Sequence, residues 1–238
     1  MRKFYTDVSV VTAEAGFQVT LDGRIVKTPS KAALLLPTYA LAEAMAVEWR
    51  AQGDKVDTNS MPINRLANTA LDRVGPRFDL VAKEIAAFGG TDLLCYRTDE
   101  PAALVEREHE MWNPFLKWAE NALDAPLKTT NGVMPIVQDV KAIASLTEAV
   151  NAYGVFELTA LHEFTNGFGS LVLALAFMKG EYSFDDCLQA SLLHQTHQEE
   201  KWGEDSEVTD KTALLLIDLT AVCEFISHLR NKTADKPS

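Results

Sequence analysis

Hydrophobic residues recur at every second position in the first forty residues of the chain. Val8 and Val10, then Phe17, Val19 and Leu21, alternate with polar neighbours, the spacing that turns one face of an extended strand inward. Asp22-Gly23 is a two-residue hairpin signal, and Arg24-Ile25-Val26-Lys27 resumes the alternation. Ala33-Leu34-Leu35-Leu36, closed by Pro37, reads as a short buried strand. The pattern predicts a small antiparallel sheet.

Beyond Pro37 the period changes from two to that of a helix. Thr38 is placed to cap a helix with Leu41, Met45 and Trp49 on one face, ended by Gln52-Gly53. Pro62 opens a second, in which Ile63, Leu66, Ala67, Ala70, Leu71 and Val74 share a side. A third is expected from near Pro76, burying Phe78, Val81, Ile85 and Phe88 before Gly89-Gly90. From there on the pattern predicts helices only: 103–123 interrupted at Pro114, 140–153, 156–164, 184–201 and 209–230. The stretch from Gly167 to Met178 is apolar nearly all round, as a helix enclosed by others must be, and a polar tail follows from Asn231. Strands first and helices after make an α+β protein: a small N-terminal antiparallel β-containing domain over 1–85 and a larger all-helical C-terminal domain over 86–238.

The 238 residues carry 22 basic and 34 acidic side chains, a net charge of -12, which opposes binding to nucleic acid or anionic lipid. No apolar run in the pattern approaches the roughly 20 residues of a membrane span. Cys95, Cys187 and Cys223 lie far apart without CxxC spacing, as expected of reduced, packed thiols. The opening Met-Arg-Lys-Phe-Tyr-Thr-Asp has neither the apolar core of a secretory signal nor an Arg/Ser-rich presequence, so the expectation is a cytoplasmic protein or a trimmed mature form.

Candidate chemistry is sparse. The chain has no GxxxxGK[ST], no GxGxxG and no GxSxG, and Cys95 sits among apolar neighbours. Gly167-Phe168-Gly169-Ser170 has no strand before it and reads as close packing and a helix cap. His194 and His197, one helical turn apart, could reach a single ion with a third ligand from His162, Glu163 or His228, and this gives an alternative reading as a metal-dependent hydrolase. His162-Glu163 would begin a zincin signature only with histidine at 166, where the chain has Asn166.

Charge is concentrated instead. Residues 181–210 hold nine acids and one base, Lys201, so that -8 of the -12 lies in thirty residues. A solvated face is one reading; the other is an acidic docking patch with Trp202 as its aromatic anchor.

Several longer motifs coincide with these features: Lys3-Phe4-Tyr5, Leu21-Asp22-Gly23-Arg24 running to Pro29, Glu48-Trp49 with Ala51-Gln52-Gly53, and Met61-Pro62 with Arg65 to Ala70 and Asp72-Arg73-Val74. Further on stand Thr91 to Arg97, Trp112 with Pro114, Gly169-Ser170, and Gln198 with Trp202-Gly203-Glu204-Asp205. Together, over nearly the whole chain, they resemble the assembly-chaperone family of the F-type ATP synthase. The resemblance implies a non-enzymatic protein without cofactor or metal, whose partner is the free α subunit of the catalytic sector, shielded from aggregation until the β subunit takes its place. It implies no nucleic-acid, membrane or small-molecule partner, and a bacterial cytoplasmic form of a protein that eukaryotic relatives keep in the mitochondrial matrix. Family members carry an important glutamate near the Trp-Gly segment, with acids before the preceding Gln. This chain has His194-Gln195-Thr196-His197 there, which leaves Glu199, Glu200 and Glu204 as candidates within a partner-binding set completed by Trp202 and Asp205.

Overall fold

The computed structural model describes residues 2–132 and 134–231. Strand β1 (Val8–Ala13) pairs antiparallel with β2 (Gly16–Leu21), Val8 opposite Leu21. Asp22 and Gly23 take the left-handed φ values of 48° and 75° that a tight hairpin needs, and β3 (Arg24–Ile25) returns along β2. The turn is tied down by Asp22 Oδ1, which accepts from the backbone N–H of Thr6 and Asp7 at 3.0 and 2.8 Å.

The strand expected over Ala33–Leu36 does not form. A turn intervenes in which Lys31 adopts φ 66°, and the segment touches the sheet only through isolated bridges, Lys27 to Ala33 and Phe17 to Leu36. Leu34 and Leu36 are nevertheless fully buried. The second bridge also explains Gly16, because a Cβ there would stand 2.4 Å from the carbonyl oxygen of Leu36.

Helix α1 (Tyr39–Arg50) starts where Thr38 Oγ1 accepts from Leu41 N–H, and it buries Leu41, Met45 and Trp49 as the periodicity requires. Its Glu48 reaches the start of α2 (Pro62–Thr69), where the carboxylate accepts from the N–H groups of Ile63 and Asn64 at 2.7 and 2.8 Å. These are donors that a helix leaves unpaired at its first turn. After Thr69 the backbone widens into a π-type turn over Ala70–Val74 and tightens over Gly75–Arg77 before α3 (Phe78–Ala87). This adjustment turns Ala82, Ile85 and Ala86 inward, whereas Phe78, Val81 and Phe88, expected inside, are half-buried.

The remaining helices are α4 (Ala102–Leu123), α5 (Val140–Asn151), α6 (Val155–Phe168), α7 (Leu171–Met178), α8 (Phe184–Ser191), α9 (Leu193–Trp202) and α10 (Ser206–Arg230). Three corrections follow. Helix α4 passes through Pro114 without a break; Pro114 and Glu110, four residues earlier, are both exposed, so the carbonyl that loses its helical donor can meet water. The helix expected over 184–201 is two, divided at Leu192. The region is also not purely helical, since β4 (Tyr96–Arg97) and β5 (Thr130–Asn131) pair in parallel.

Within the apolar stretch from Gly167 to Met178, Gly169 at φ 65° ends α6 and Ser170 caps α7 by accepting from Leu173 N–H. Every α7 residue except Phe177 is buried. Asp92, itself without exposed surface, fastens this start: its carboxylate accepts from Ser170 Oγ at 2.7 Å, Val172 N–H at 3.0 Å and Leu94 N–H at 3.1 Å.

The fold is α+β, with the small antiparallel sheet at the N-terminal end and helices through most of the rest. Two compact units divide it differently from a boundary at 85. One comprises the described residues up to Phe78, Val155–Ala160 and those from Leu216 onward; the other comprises Asp79–Gly154 and Leu161–Leu215. The C-terminal end of α10 belongs to the first because its residues meet α1 and α2: Thr38 Oγ1 donates to His228 O at 2.9 Å, and Arg65 pairs with Asp218 at 2.9 Å. By length and composition α10, in which an 18-residue window has mean hydropathy 1.6, is the one helix among the described residues long and apolar enough to cross a membrane, a feature that run-length reading missed because charges punctuate it. Beyond Asn231, the expected polar tail lies outside the described residues.

Burial pushes the Glu48 carboxyl up to about 7 despite its two N–H donors. A raised carboxyl favours the folded state below its unfolded value and loses that advantage as pH rises to the folded one. The stability of the wild type relative to Glu48→Gln is therefore expected to fall between about pH 4.5 and 7, read from urea unfolding at the two ends of that window. A constant difference would show that the two bonds hold Glu48 ionised throughout.

Candidate functional site

The residues singled out for docking lie on α9 and at the start of α10. Trp202, the last residue of α9, is 73% exposed, with only the Lys201 ammonium set 5.2 Å from its ring centroid. Gly203, at φ 87°, then turns the chain sharply. Glu204 makes no hydrogen bond or ion pair among the described residues, whereas Asp205 has local work: its Oδ1 accepts from Glu207 N–H at 2.9 Å where α10 begins. Glu199 accepts from Gln195 Nε2 at 2.8 Å, and the same amide donates to Thr212 Oγ1 of α10. Glu200 pairs with Arg107 of α4 through both guanidinium nitrogens, at 2.7 and 3.3 Å. All five expected residues thus fall along one short run, three of them held by side-chain contacts.

Beneath that rim lies a buried polar cluster that sequence reasoning missed. Glu108 of α4 has no exposed surface; it accepts from Thr98 N–H and stands 2.6 Å from His194 Nε2 on α9. Arg97 is buried beside it, donating to Leu94 O and Glu108 O and lying 5.1 Å from the Trp112 ring centroid. Burial pulls the Arg97 guanidinium below its ordinary value, and Glu108 acts against that. Trp112 Nε1 donates to Ala190 O, so α4 grips α8 as well as α9. The available signal was Arg97 within the Thr91–Arg97 motif, a charge next to the apolar run Leu93-Leu94-Cys95 that had to find a partner.

Metal and nucleophile readings gain nothing from this geometry. His194 is engaged by Glu108, His197 Nε2 is buried without a partner, and His162 contacts Glu163 and Asn166 on its own helix. Among the described residues no three His, Cys, Asp or Glu side chains stand close enough to hold an ion. Burial pushes the Cys95 and Cys187 thiols up to about 12, far from a reactive thiolate at neutral pH.

Other apolar side chains outside this run are also exposed. Leu214 and Ile217 of α10 are 63% and 66% exposed, one helical turn apart. Met134, Val137 and Val140 are exposed before and at the start of α5. Neither group was singled out in the sequence.

A family model described as ATP12 chaperone protein matches residues 2–120, half of the chain. The crystal structure of Atp12 from Paracoccus denitrificans is 40% identical and covers 96% of this chain and 98% of its own, with a TM-score of 0.92. The chain belongs to the ATP12 chaperone family. A mutant form of the same P. denitrificans protein superposes with a TM-score of 0.93 at 40% identity over the same shares of the two chains. The mitochondrial atp12 protein of Schizosaccharomyces pombe is 24% identical over 90% of this chain and 78% of its own length. The ATP12 family is a chaperone family of ATP synthase assembly, as the motif resemblance implied.

The two contacts that hold α9 to α4 differ in burial, and so in expected weight. Glu108→Ala leaves the Thr98 N–H and His194 Nε2 without their acceptor, at an expected cost of about 1–3 kcal/mol. Glu200→Ala breaks an exposed pair and should cost less than about 1 kcal/mol. Chemical denaturation of the two variants measures both, and equal losses would mean that the surface pair is what holds α9 in place.

Proposed function

We propose that this protein binds the unassembled α subunit of the F-type ATP synthase catalytic sector and prevents its aggregation until the β subunit displaces it, acting in a bacterial cytoplasm without enzymatic chemistry of its own. The observation that carries the reading is Trp202, a large amphipathic side chain left in water at the end of a helix, with acidic residues on both sides of it in the sequence. Large aromatic residues supply most of the energy of protein interfaces when they enter a partner's pocket.

The surrounding charges fit the same use. Glu199 and Glu200 occupy the last turn of α9, where the helix dipole disfavours carboxylates by about 0.3–1 kcal/mol each. An acidic rim around an aromatic anchor would select and orient a basic client surface and speed its capture at low salt. Chaperoning further requires that the client be released, which favours a small anchor over an extensive apolar face.

Isolated α subunit gives the direct test. The protein is expected to suppress its light scattering on dilution from denaturant, with Trp202→Ala weakening capture by about 30-fold, the measure of a hot-spot residue. Changing Glu199, Glu200 and Glu204 together to Gln should slow association and flatten its salt dependence while leaving the unfolding midpoint within a few degrees. Failure of the wild-type protein to capture α subunit at low salt overturns the proposal; normal capture by both variants moves the site to another surface.

A further inference from the structure

The first unit holds a groove that none of the preceding argument uses. Beside β3 lies a cavity of about 470 Å³ lined by Leu21, Trp49, Asn64 and Asn68, with Phe4 and Ile25 at its lip, 60% and 47% exposed. That volume suits a side chain or a small ligand. Trp49 Nε1, Asn64 Oδ1 and Asn68 Oδ1 are all buried without a hydrogen-bond partner, and the Trp49 and Asn64 side chains are more than nine-tenths buried. Native interiors leave few polar atoms unmet, so one donor and two acceptors orphaned around a single cavity call for a cause.

The strand beside the cavity offers a second observation. Val26 N–H donates to Val19 O at 2.9 Å, so the preceding residue, Ile25, directs its N–H and C=O away from β2, toward an edge on which, among the described residues, no strand pairs and the nearest contact is the isolated bridge from Lys27 to Ala33. An unpaired edge is a template for an added strand. Arg24 and Lys27, on either side of Ile25, are exposed and outside any ion pair among the described residues. In a chain of net charge -12, this rim is basic.

We propose that the groove takes an extended segment of a partner protein, acidic with apolar side chains at alternate positions, which adds to the edge of β3 at Ile25. Alternation follows from strand geometry, in which the side chains entering the cavity share the face of Arg24 and Val26 while those between share the opposite face, that of Ile25 and Lys27. The acidic character follows from the rim, and the negative charge elsewhere on the chain keeps such a segment from settling on α9 or α10. The proposal does not depend on which subunit the protein chaperones. It assigns a second docking surface, of opposite charge to the one around Trp202.

The test uses a defined peptide, Ac-Asp-Val-Glu-Val-Glu-Val-Asp-NH2, and a counterpart with Lys at each acidic position, titrated into the full-length nitrogen-15-labelled protein. The acidic peptide should shift the Trp49 indole and Ile25 amide resonances saturably and bind at least about ten-fold more tightly than the basic one. Arg24→Glu with Lys27→Glu, both at exposed positions that leave the fold intact, should reverse the preference. Ile25→Pro, which removes the outward N–H, should abolish the shifts. Absence of a saturable shift at both resonances up to about 1 mM peptide, equal binding of the two peptides, or unchanged preference in the charge-reversed variant would each overturn the proposal.

Discussion

A carboxylate sealed from water must have its oxygens met by donors, and in this protein that requirement falls on Asp92. Its donors are Leu94 on its own segment and Ser170 and Val172 at the start of α7, so satisfying one buried carboxyl group fixes the chain from Asp92 to Arg97 against the most enclosed helix of the second unit. Helix α7 needs such a fixture. With nearly every side apolar, it has no polar stripe to set its rotation, and hydrophobic burial alone is non-directional. Around it the packing is specific: Phe164 lies against Phe168 and edge-on to Phe177, Phe177 meets Phe184 of α8, and the Cys187 thiol donates to Leu173 O. From Arg97 the order continues through Glu108 and His194 to α9, so the exposed Trp202 stands at the end of a helix anchored from the core.

What could be read from the sequence was whatever a residue decides locally. Thr38 and Ser170 cap the helices they were expected to cap, Asp22-Gly23 makes the hairpin, and Leu41, Met45 and Trp49 face inward, because caps, tight turns and single-helix periodicity act over a few residues. Long-range choices were hidden. No local signal pairs Tyr96–Arg97 with Thr130–Asn131, stops a helix at Leu192, or returns Leu216 and its successors to the first unit. The candidate site was legible to the same extent: the run from Glu199 to Asp205 carried its own signal in charge and in one tryptophan. Glu108, which secures that run, lies some ninety positions earlier and resembles any helix-surface glutamate until its burial is known.

The acidic run also changes in meaning. Asp186 belongs to a capping box with Ser183, Asp205 caps α10, Glu207 pairs with Lys211, and Glu199 and Glu200 are engaged by Gln195 and Arg107. Four of the nine acids, Glu181, Asp185, Glu204 and Asp210, make no side-chain bond among the described residues. Much of what looked like free charge therefore shapes helix ends, and the remainder confers a field around Trp202 rather than a uniform negative face.

Because the first unit includes residues from Leu216 onward, the residues up to Phe78 cannot finish packing until that later segment emerges. The roughly 140 residues between Phe78 and Leu216 take about 7–30 s to translate at ordinary rates. For that interval Thr38 and Arg65 lack their partners on α10, the His228 carbonyl and Asp218. A member of a chaperone family thus passes through its own period of exposure, which the emergence of α10 brings to an end.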